Sequence, residues 1–277
     1  MKRWRWVQEI FDASADRYEA EIAPLLAPLV TDFAAVIARR CAPLPATWAL
    51  DVGTGTGALA RALAPLARGV CGVDVSAASL RIARETPAAA HLHYLRADIH
   101  RLPFADGRFA LVAASLGLNA TAPQRSLRAL RRVLATEGCL AIQEWGPLSE
   151  PDRVFAEVFA AHIPQGASSE RTTPHGLVHW SDFLQDADDY RAWLGEELGL
   201  HEVSACECAP VTVRVPTVDD FVRYKLAWTY RWELWRALPP SQRVAFVEAA
   251  RAALRPFTAQ DGALYWRPPM LRAFGRR

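Results

Sequence analysis

Apolar positions recur every three to four residues over the first 40 residues. Trp4, Val7 and Phe11 are followed by Leu25, Leu26, Leu29, Phe33 and Ile37, the spacing of helices with one buried face. Two prolines in "CAPLPAT" (41–47) end that section, because proline cannot continue a helix. From there short unbroken apolar runs alternate with helix-forming segments. The pattern predicts strand 47–52, helix 57–67, strand 69–76, helix 77–85, strand 90–98, strand 107–118, helix 121–135 and strand 139–145. Continuous apolar strands alternating with helices predict a parallel sheet covered on both faces, an α/β fold. After residue 146 the rhythm changes. A helix over 151–163 leads into the polar stretch "PQGASSERTTPHG", then a helix over 188–199 ends at Gly199. Residues 201–216 alternate like a strand, a long aromatic-rich helix is expected over 218–238 and another over 241–255, and 262–277 reads as extended.

Composition narrows the class. With 277 residues, 51% of them hydrophobic and 22% charged, the chain is globular rather than disordered. A net charge of +2 is too mild to advertise a nucleic acid as partner, and none is expected. No apolar run approaches the length of a membrane span, and the basic N-terminus lacks the apolar core of a signal peptide, so no membrane association is expected. The five cysteines form neither a CxxC pair nor a metal-ligand spacing, so no metal site is expected. Cys71 and Cys139 fall in strand-like runs, where buried reduced thiols are expected, and the compartment reads as cytoplasmic.

Chemistry concentrates in "WALDVGTGTGALARAL" (48–63), where Asp51 precedes Gly53, Gly55 and Gly57 at a strand-to-helix turn. In an open parallel sheet ligands bind beyond the carboxyl ends of the strands, and the first such turn is the usual place. Gly53 and Gly55 would let a ligand approach the backbone, while Gly57 would pack closely at the helix start. The next strand ends at Asp74, suited to accept hydrogen bonds from the two hydroxyls of a ribose. The third ends at Asp98, suited to an adenine amino group, with Ile99 against the ring. Either acid alone reads more readily as a solvated strand end or helix cap; the glycine turn and both acids at consecutive strand tips reverse that reading. Dinucleotide-binding enzymes also use a glycine turn and a later acid, but their fingerprint is GxGxxG and here the spacing is GxGxG.

On these residues the chain resembles the class I S-adenosylmethionine-dependent methyltransferases. "DVGTGTG" fits their first motif, and "GVDVS", "RADIHRLPFADGRFALV" and "LRALRRVLATEGCLAI" are similar to later signatures of the small-molecule, ubiquinone/menaquinone-methyltransferase-like branch. Ala110 and Cys139 depart from the usual Asp and Gly of that pattern. The resemblance is close over about residues 10–145 and loose in the tail. It implies a Rossmann-like, mostly parallel seven-stranded sheet flanked by helices, with N-terminal helices and helical additions in the C-terminal half. It also implies S-adenosyl-L-methionine as cofactor, held by Tyr18, Asp51, Gly53, Thr54, Gly55, Gly57, Asp74, Val75, Asp98, Ile99, Ser115 and Leu116. In that set the glycines surround the methionine moiety, Asp74 takes the ribose, Asp98 the adenine, Ser115 and Leu116 act through backbone, and Tyr18 covers the cofactor. The expected division is an N-terminal helical cap over 1–45 and a methyltransferase domain over 46–277, with acceptor-side insertions at about 150–185 and 217–258.

The sulfonium already carries an activated methyl group, so the protein must mainly hold the acceptor in line and keep water out. A general base is needed only if the acceptor must lose a proton. His162, His175, His179 and Glu144 are candidates, each reading as readily as a structural residue, and none is assigned. "SLGLNA" stands after the fourth strand, where amino-methylating enzymes of nucleic acids carry an NPPY-like motif. Phe221, Tyr224, Trp228, Trp232 and Trp235 share one face of the expected long helix, a stripe that reads as core or as pocket lining. A small apolar or aromatic acceptor is expected. Two alternatives stay open at this point: a protein that binds the same cofactor without transfer, and a nicotinamide-dependent oxidoreductase.

Overall fold

The computed structural model describes residues 2–41, 47–118, 121–163 and 183–277. Its centre is a seven-stranded sheet in the order β3-β2-β1-β4-β5-β9-β6. The strands are β1 (Trp48–Val52), β2 (Gly69–Asp74), β3 (Leu92–Arg96), β4 (Phe109–Ser115), β5 (Leu134–Trp145), β6 (His201–Cys208) and β9 (Met270–Arg276). The first five run parallel; β9 is antiparallel to both β5 and β6 and closes the sheet. This is the mostly parallel seven-stranded architecture expected from the sequence.

Helices cover both faces. On one, α2 (Ala23–Arg40) and α3 (Ala58–Leu63) bury Phe33, Ile37, Leu59 and Leu63 against Ala49, Val70, Leu111 and Ala141. On the other, α5 (Pro123–Val133) and α7 (Ala187–Ala192) bury Leu127, Leu130 and Tyr190 against Leu50, Val112, Leu140 and Ile142. Burying strands on both faces is what makes their sequences continuously apolar rather than alternating. A third apolar cluster caps the C-terminal ends of the strands. It joins α6 (Glu150–His162), α8 (Val218–Ala227), α9 (Thr229–Ala237), α10 (Pro240–Leu254) and a small ribbon of β7 (Val213–Val215) and β8 (Leu264–Trp266).

At the N-terminus α1 (Lys2–Arg17) and α2 form one helical run, joined through a π-helical turn at Tyr18–Ile22. Pro24 follows directly and has no N–H for the carbonyl four residues back, so the hydrogen-bond register slips there. This run, Val7–Arg40, contains an 18-residue window of mean hydropathy 1.6, long and apolar enough to cross a membrane by length and composition. The expectation from uninterrupted apolar runs missed it because Glu21 and Asp32 interrupt the sequence. Its apolar face, Leu26, Leu29, Phe33 and Ile37, lies in the core.

Five further expectations are corrected. The aromatic helix is two helices, because Trp228 is extended (φ −64°, ψ 130°) and ends α8 before α9 begins. The alternating segment 201–216 splits into β6 and β7, and the extended tail splits into β8 and β9 around Arg267–Pro269. Strand β5 begins at Leu134 rather than 139, directly after α5. Cys139 is not a reduced thiol: it forms a disulfide with Cys41, at the end of α2, across 98 residues of sequence. Cys71 is free and buried, as expected. The disulfide removes the ground on which the cysteines pointed to a reducing compartment.

Candidate functional site

The strand order reverses between β1 and β4, and the loops leaving these two strands meet there. Gly53, Gly55 and Gly57 all have positive φ (69°, 53° and 87°), but their surroundings differ. A Cβ on Gly53 would lie 2.5 Å from the Cα and O of Gly117 in the loop after β4. A Cβ on Gly57 would lie 2.8 Å from Tyr94 Cζ and 2.9 Å from Arg61 Nη1, and one on Gly55 would meet nothing within 4 Å. Gly53 therefore packs loop against loop, beside its expected place in the ligand-facing turn. Gly57 packs at the start of α3 as expected, and Gly55 faces open space.

The acids organise this turn. Asp51 is buried at the end of β1 and accepts a hydrogen bond from Thr54 Oγ1 at 2.6 Å, fixing the start of the turn. Burial pushes its carboxyl up to about 7, against the hydrogen bonds from Thr54 and Ala60 N–H. Asp74, at the tip of β2, accepts from Gly55 N–H through Oδ2 and from Ser76 N–H through Oδ1, each at 2.8 Å. Burial raises its pKa in turn, and the backbone N–H groups of Ser76, Gly55 and Val75 oppose the rise. These donors orient the carboxylate, whose two oxygens offer about four acceptor sites, so accepting capacity remains. Val75 lies beside it, its carbonyl accepting from Arg96 Nε at 3.0 Å.

Asp98 stands one strand further along, and its Oδ1 accepts from His100 N–H at 2.9 Å and from His100 Nδ1 at 2.7 Å. His100 Nε2 accepts from Ala122 N–H at 3.0 Å, so the hydrogen bonds place the ring proton on Nδ1. Burial would raise the Asp98 pKa, but the two His100 bonds win and hold it below the ordinary range. Ile99 follows, packed on the apolar cluster of that face. Tyr18 comes from the N-terminal π turn. Its phenol is pushed up to about 12, first by burial and then by the carboxylates of Glu19, Asp74 and Asp51. Its ring packs in the apolar cluster that contains Leu116, the residue after β4. At the end of β4, Ser115 Oγ accepts from Gln143 Nε2 at 2.9 Å, and Leu116 takes a left-handed conformation (φ 57°) while donating to Gln143 O at 2.8 Å. Such strain in a non-glycine residue persists only where neighbours hold it, and it clusters at ligand-binding loops.

Tyr18, Asp51, Gly53, Thr54, Gly55, Gly57, Asp74, Val75, Asp98, Ile99, Ser115 and Leu116 thus lie at the C-terminal ends of β1–β4 and on the helical run above them. Sequence reasoning passed over two residues that shape this edge. Asp12 on α1 accepts from Ser76 Oγ at 2.7 Å and Ala78 N–H at 3.0 Å, fastening α1 to the N-terminus of α4 (Ala77–Glu85). His100 fastens Asp98 to the start of α5. The "DIH" triplet carried the second signal; nothing in the sequence signals the first.

Above Tyr18 and Leu116 lies an aromatic group. The Trp228 ring meets Tyr18 (6.3 Å between centroids), Trp145 (6.1 Å) and Tyr224 (6.2 Å), all near-perpendicular. Phe221 and Tyr224 are fully buried core, whereas Trp228, Trp232 and Trp235 keep partial exposure, so the stripe divides into core and partly exposed rings. Among the candidate bases, His162 donates from Nδ1 to Val158 O at 2.8 Å, within its own helix turn, and lies against Phe246. Glu144 is buried, accepts from Leu118 N–H at 3.1 Å, and is pushed up to about 8 by burial. His175 and His179 lie outside the described residues. No group of metal-ligating side chains occurs among the described residues.

Comparison with known proteins adds the chemistry. Residues 50–142 match the family described as "Methyltransferase domain". The chain is 31% identical over 211 residues to a demethylmenaquinone methyltransferase of Parafrankia sp., covering 69% of this chain and 81% of that protein. It is 36% identical over 162 residues to a malonyl-[acyl-carrier protein] O-methyltransferase of Halorhodospira halophila, covering 56% of this chain and 53% of that protein. In fold it is similar to the YcgJ protein of Bacillus subtilis, with a TM-score of 0.55 and 15% identity over 88% of this chain and 97% of that one.

Proposed function

Because the chain belongs to the class I S-adenosylmethionine-dependent methyltransferases of the small-molecule branch, we propose that its glycine turn and strand-tip acids hold the cofactor and that its aromatic cleft holds an apolar or aromatic acceptor. The enzyme transfers a methyl group from S-adenosyl-L-methionine to a small molecule. The oxidoreductase and transfer-free alternatives give way to this membership.

The observation that carries the assignment of residues is the convergence of Gly55, Asp74 and Asp98 on one edge. The space beside Gly55 is clear to 4 Å, and Asp74 is tied to the Gly55 N–H. Those features fit S-adenosylmethionine: an open backbone for the methionine moiety, a carboxylate for the ribose hydroxyls, and a second acid for the adenine amino group. When bound, the cofactor supplies a sulfonium-activated methyl group. The chain's own residues then do the positioning. Asp51 and Thr54 set the turn, His100 orients Asp98, and the strained Leu116 presents its backbone toward the same edge. Tyr18 and Trp228 close over the site and exclude water, so that an acceptor held at attack distance meets the methyl carbon in line. The relative named as a demethylmenaquinone methyltransferase supports an apolar acceptor, as do the partly exposed rings of Trp145 and Trp228. A free small molecule rather than a nucleic acid fits the net charge of +2.

Titration calorimetry with S-adenosylhomocysteine tests the assignment. Asp74→Ala should weaken binding by about 1.5–3 kcal/mol for each charge-assisted hydrogen bond lost. Unchanged affinity in that variant would remove Asp74 from the site.

A further inference from the structure

Behind the Trp228 wall lies a group of charges that cofactor binding does not use. Asp152, near the start of α6, is buried, accepts from Trp266 Nε1 at 3.1 Å and forms an ion pair with Lys225 of α8, itself buried. Arg231, in the first turn of α9, faces the same group from across the break at Trp228. Its guanidinium lies 5.4 Å over the ring of Phe155, a contact that occupies no N–H. Among the described residues nothing forms a hydrogen bond or ion pair with it. Arg17 serves as contrast, since its Nε donates to Ala227 O at 2.8 Å while its guanidinium covers Trp232.

Two cations therefore share one carboxylate in an apolar setting, and Lys225 already holds that carboxylate. Burial lowers the Arg231 pKa, and the charged and phenolic groups that face it are Tyr224, Asp152 and Tyr230. Yet the residue keeps partial exposure. A guanidinium with one face on an aromatic ring and its N–H edges unpaired can take an anion from outside. Phe155 beneath it belongs to the apolar cluster that also holds Tyr18, Leu116, Trp145 and Trp228. Ring contacts join this group to the site: Tyr224 meets Trp228, and Trp228 meets Tyr18.

We propose that Arg231 recognises a carboxylate on the methyl acceptor, so that the substrate class is an apolar or aromatic acid rather than a wholly neutral molecule. This rests on the acceptor cleft assigned above. An unpaired guanidinium presents coplanar N–H donors that match a carboxylate, and a low-dielectric cleft strengthens the pair. It also leaves a neutral acceptor facing an uncompensated charge, which selects against such acceptors.

Benzoate and its neutral analogue benzamide are the probes, titrated calorimetrically into protein saturated with S-adenosylhomocysteine. Benzoate should bind at least tenfold tighter than benzamide. Arg231→Met should erase that difference and Arg231→Lys should keep part of it, with S-adenosylhomocysteine affinity unchanged in both. The lysine variant retains the charge and decides the matter if the methionine variant does not fold. Equal affinity of the two probes for the unaltered protein, binding of neither, or an undiminished benzoate preference in Arg231→Met would each overturn the proposal. A tenfold loss of S-adenosylhomocysteine affinity in Arg231→Met would overturn it by assigning the guanidinium to the cofactor. If S-adenosylhomocysteine itself failed to bind the unaltered protein, the cofactor assignment would fall first and this inference with it.

Discussion

Substituting the three glycines of the turn one at a time should separate folding from binding, because each faces a different neighbour. Gly55 is left-handed with no atom within 4 Å of an added Cβ, so Gly55→Val meets no clash within the protein. Its folding cost is the left-handed backbone alone, about 1–2 kcal/mol, offset in part by the about 0.4–1 kcal/mol gained when the unfolded chain loses glycine's freedom. A net loss near 1 kcal/mol lowers the melting temperature by about 2–4 °C for a chain of this size. Cofactor affinity should fall far more, because the branched side chain fills the space the ligand needs. Even one lost charge-assisted hydrogen bond, about 1.5–3 kcal/mol, raises Kd at least about tenfold. Gly53→Ala should behave in the opposite way. Its Cβ would press on the Gly117 backbone at 2.5 Å, which cannot swing aside, adding about 1–3 kcal/mol of overpacking to the backbone term. Gly57→Ala should fall between, since its neighbours, Tyr94 and Arg61, are side chains that can shift. Denaturant midpoints and S-adenosylhomocysteine calorimetry on all three variants read the two quantities separately. A Gly55→Val protein that binds normally, or a Gly53→Ala protein as stable as the parent, would refute the assignment of open and packed glycines.

Three other outcomes follow from the geometry. Trp228→Ala should slow transfer to an acceptor found by screening with labelled cofactor more than it weakens S-adenosylhomocysteine binding, since each lost aromatic contact is worth about 0.5–1.5 kcal/mol; equal loss of both together with several kcal/mol of stability would make the ring simple core. Unfolded without reductant, the protein should show the three free thiols of Cys71, Cys206 and Cys208, and five after reduction. Breaking the Cys41–Cys139 bridge should cost about 2–4 kcal/mol, read as a lower melting temperature with dithiothreitol; five thiols without reductant would refute the bridge. Glu144 retains its proton in the folded chain up to about 8, while the unfolded side chain releases it near 4.5. The folded state binds more protons across that window, so stability falls as pH rises through it. Glu144→Gln should flatten that part of the fall, measured by denaturant midpoints at about pH 5 and about pH 8.5, and an unchanged slope would count against a buried, protonated Glu144.

The central strands were legible because burial on both faces leaves its mark on them: "WALDV", "GVCGVD" and "FALVAAS" are apolar except at Asp51, Asp74 and Ser115, near or at their C-terminal ends. The break at Trp228 was not. "LAWTYRW" holds no proline or glycine, and a periodic pattern continues through it. What ends α8 is tertiary: the Trp228 ring lies among Tyr18, Trp145 and Tyr224, and the chain turns to put it there. The Cys41–Cys139 bridge escaped for a related reason, since its partners are 98 residues apart and share no spacing motif.

The two halves of the site differ in the same way. The cofactor half is made of backbone: a turn that must be left-handed, a strand end that must stop at an acid, a loop that must approach another loop. Such demands restrict which residue can stand at one position, so they appear as glycines and aspartates at fixed offsets from a strand. The proposed acceptor half is made of side chains from separate elements, with Trp145 from β5, Trp228 from the break before α9 and Arg231 from α9. None of these is demanded by its own segment, and each reads locally as ordinary core or ordinary surface. Arg231 in particular sits in a helix with charged neighbours, Glu233 and Arg236, that are exposed. Only the fold, by standing it over Phe155 beside an acid that Lys225 already holds, turns it from a solvated charge into one that needs a partner. The chemistry shared by a family is therefore written in its local sequence, while the choice of acceptor is written in distances between segments.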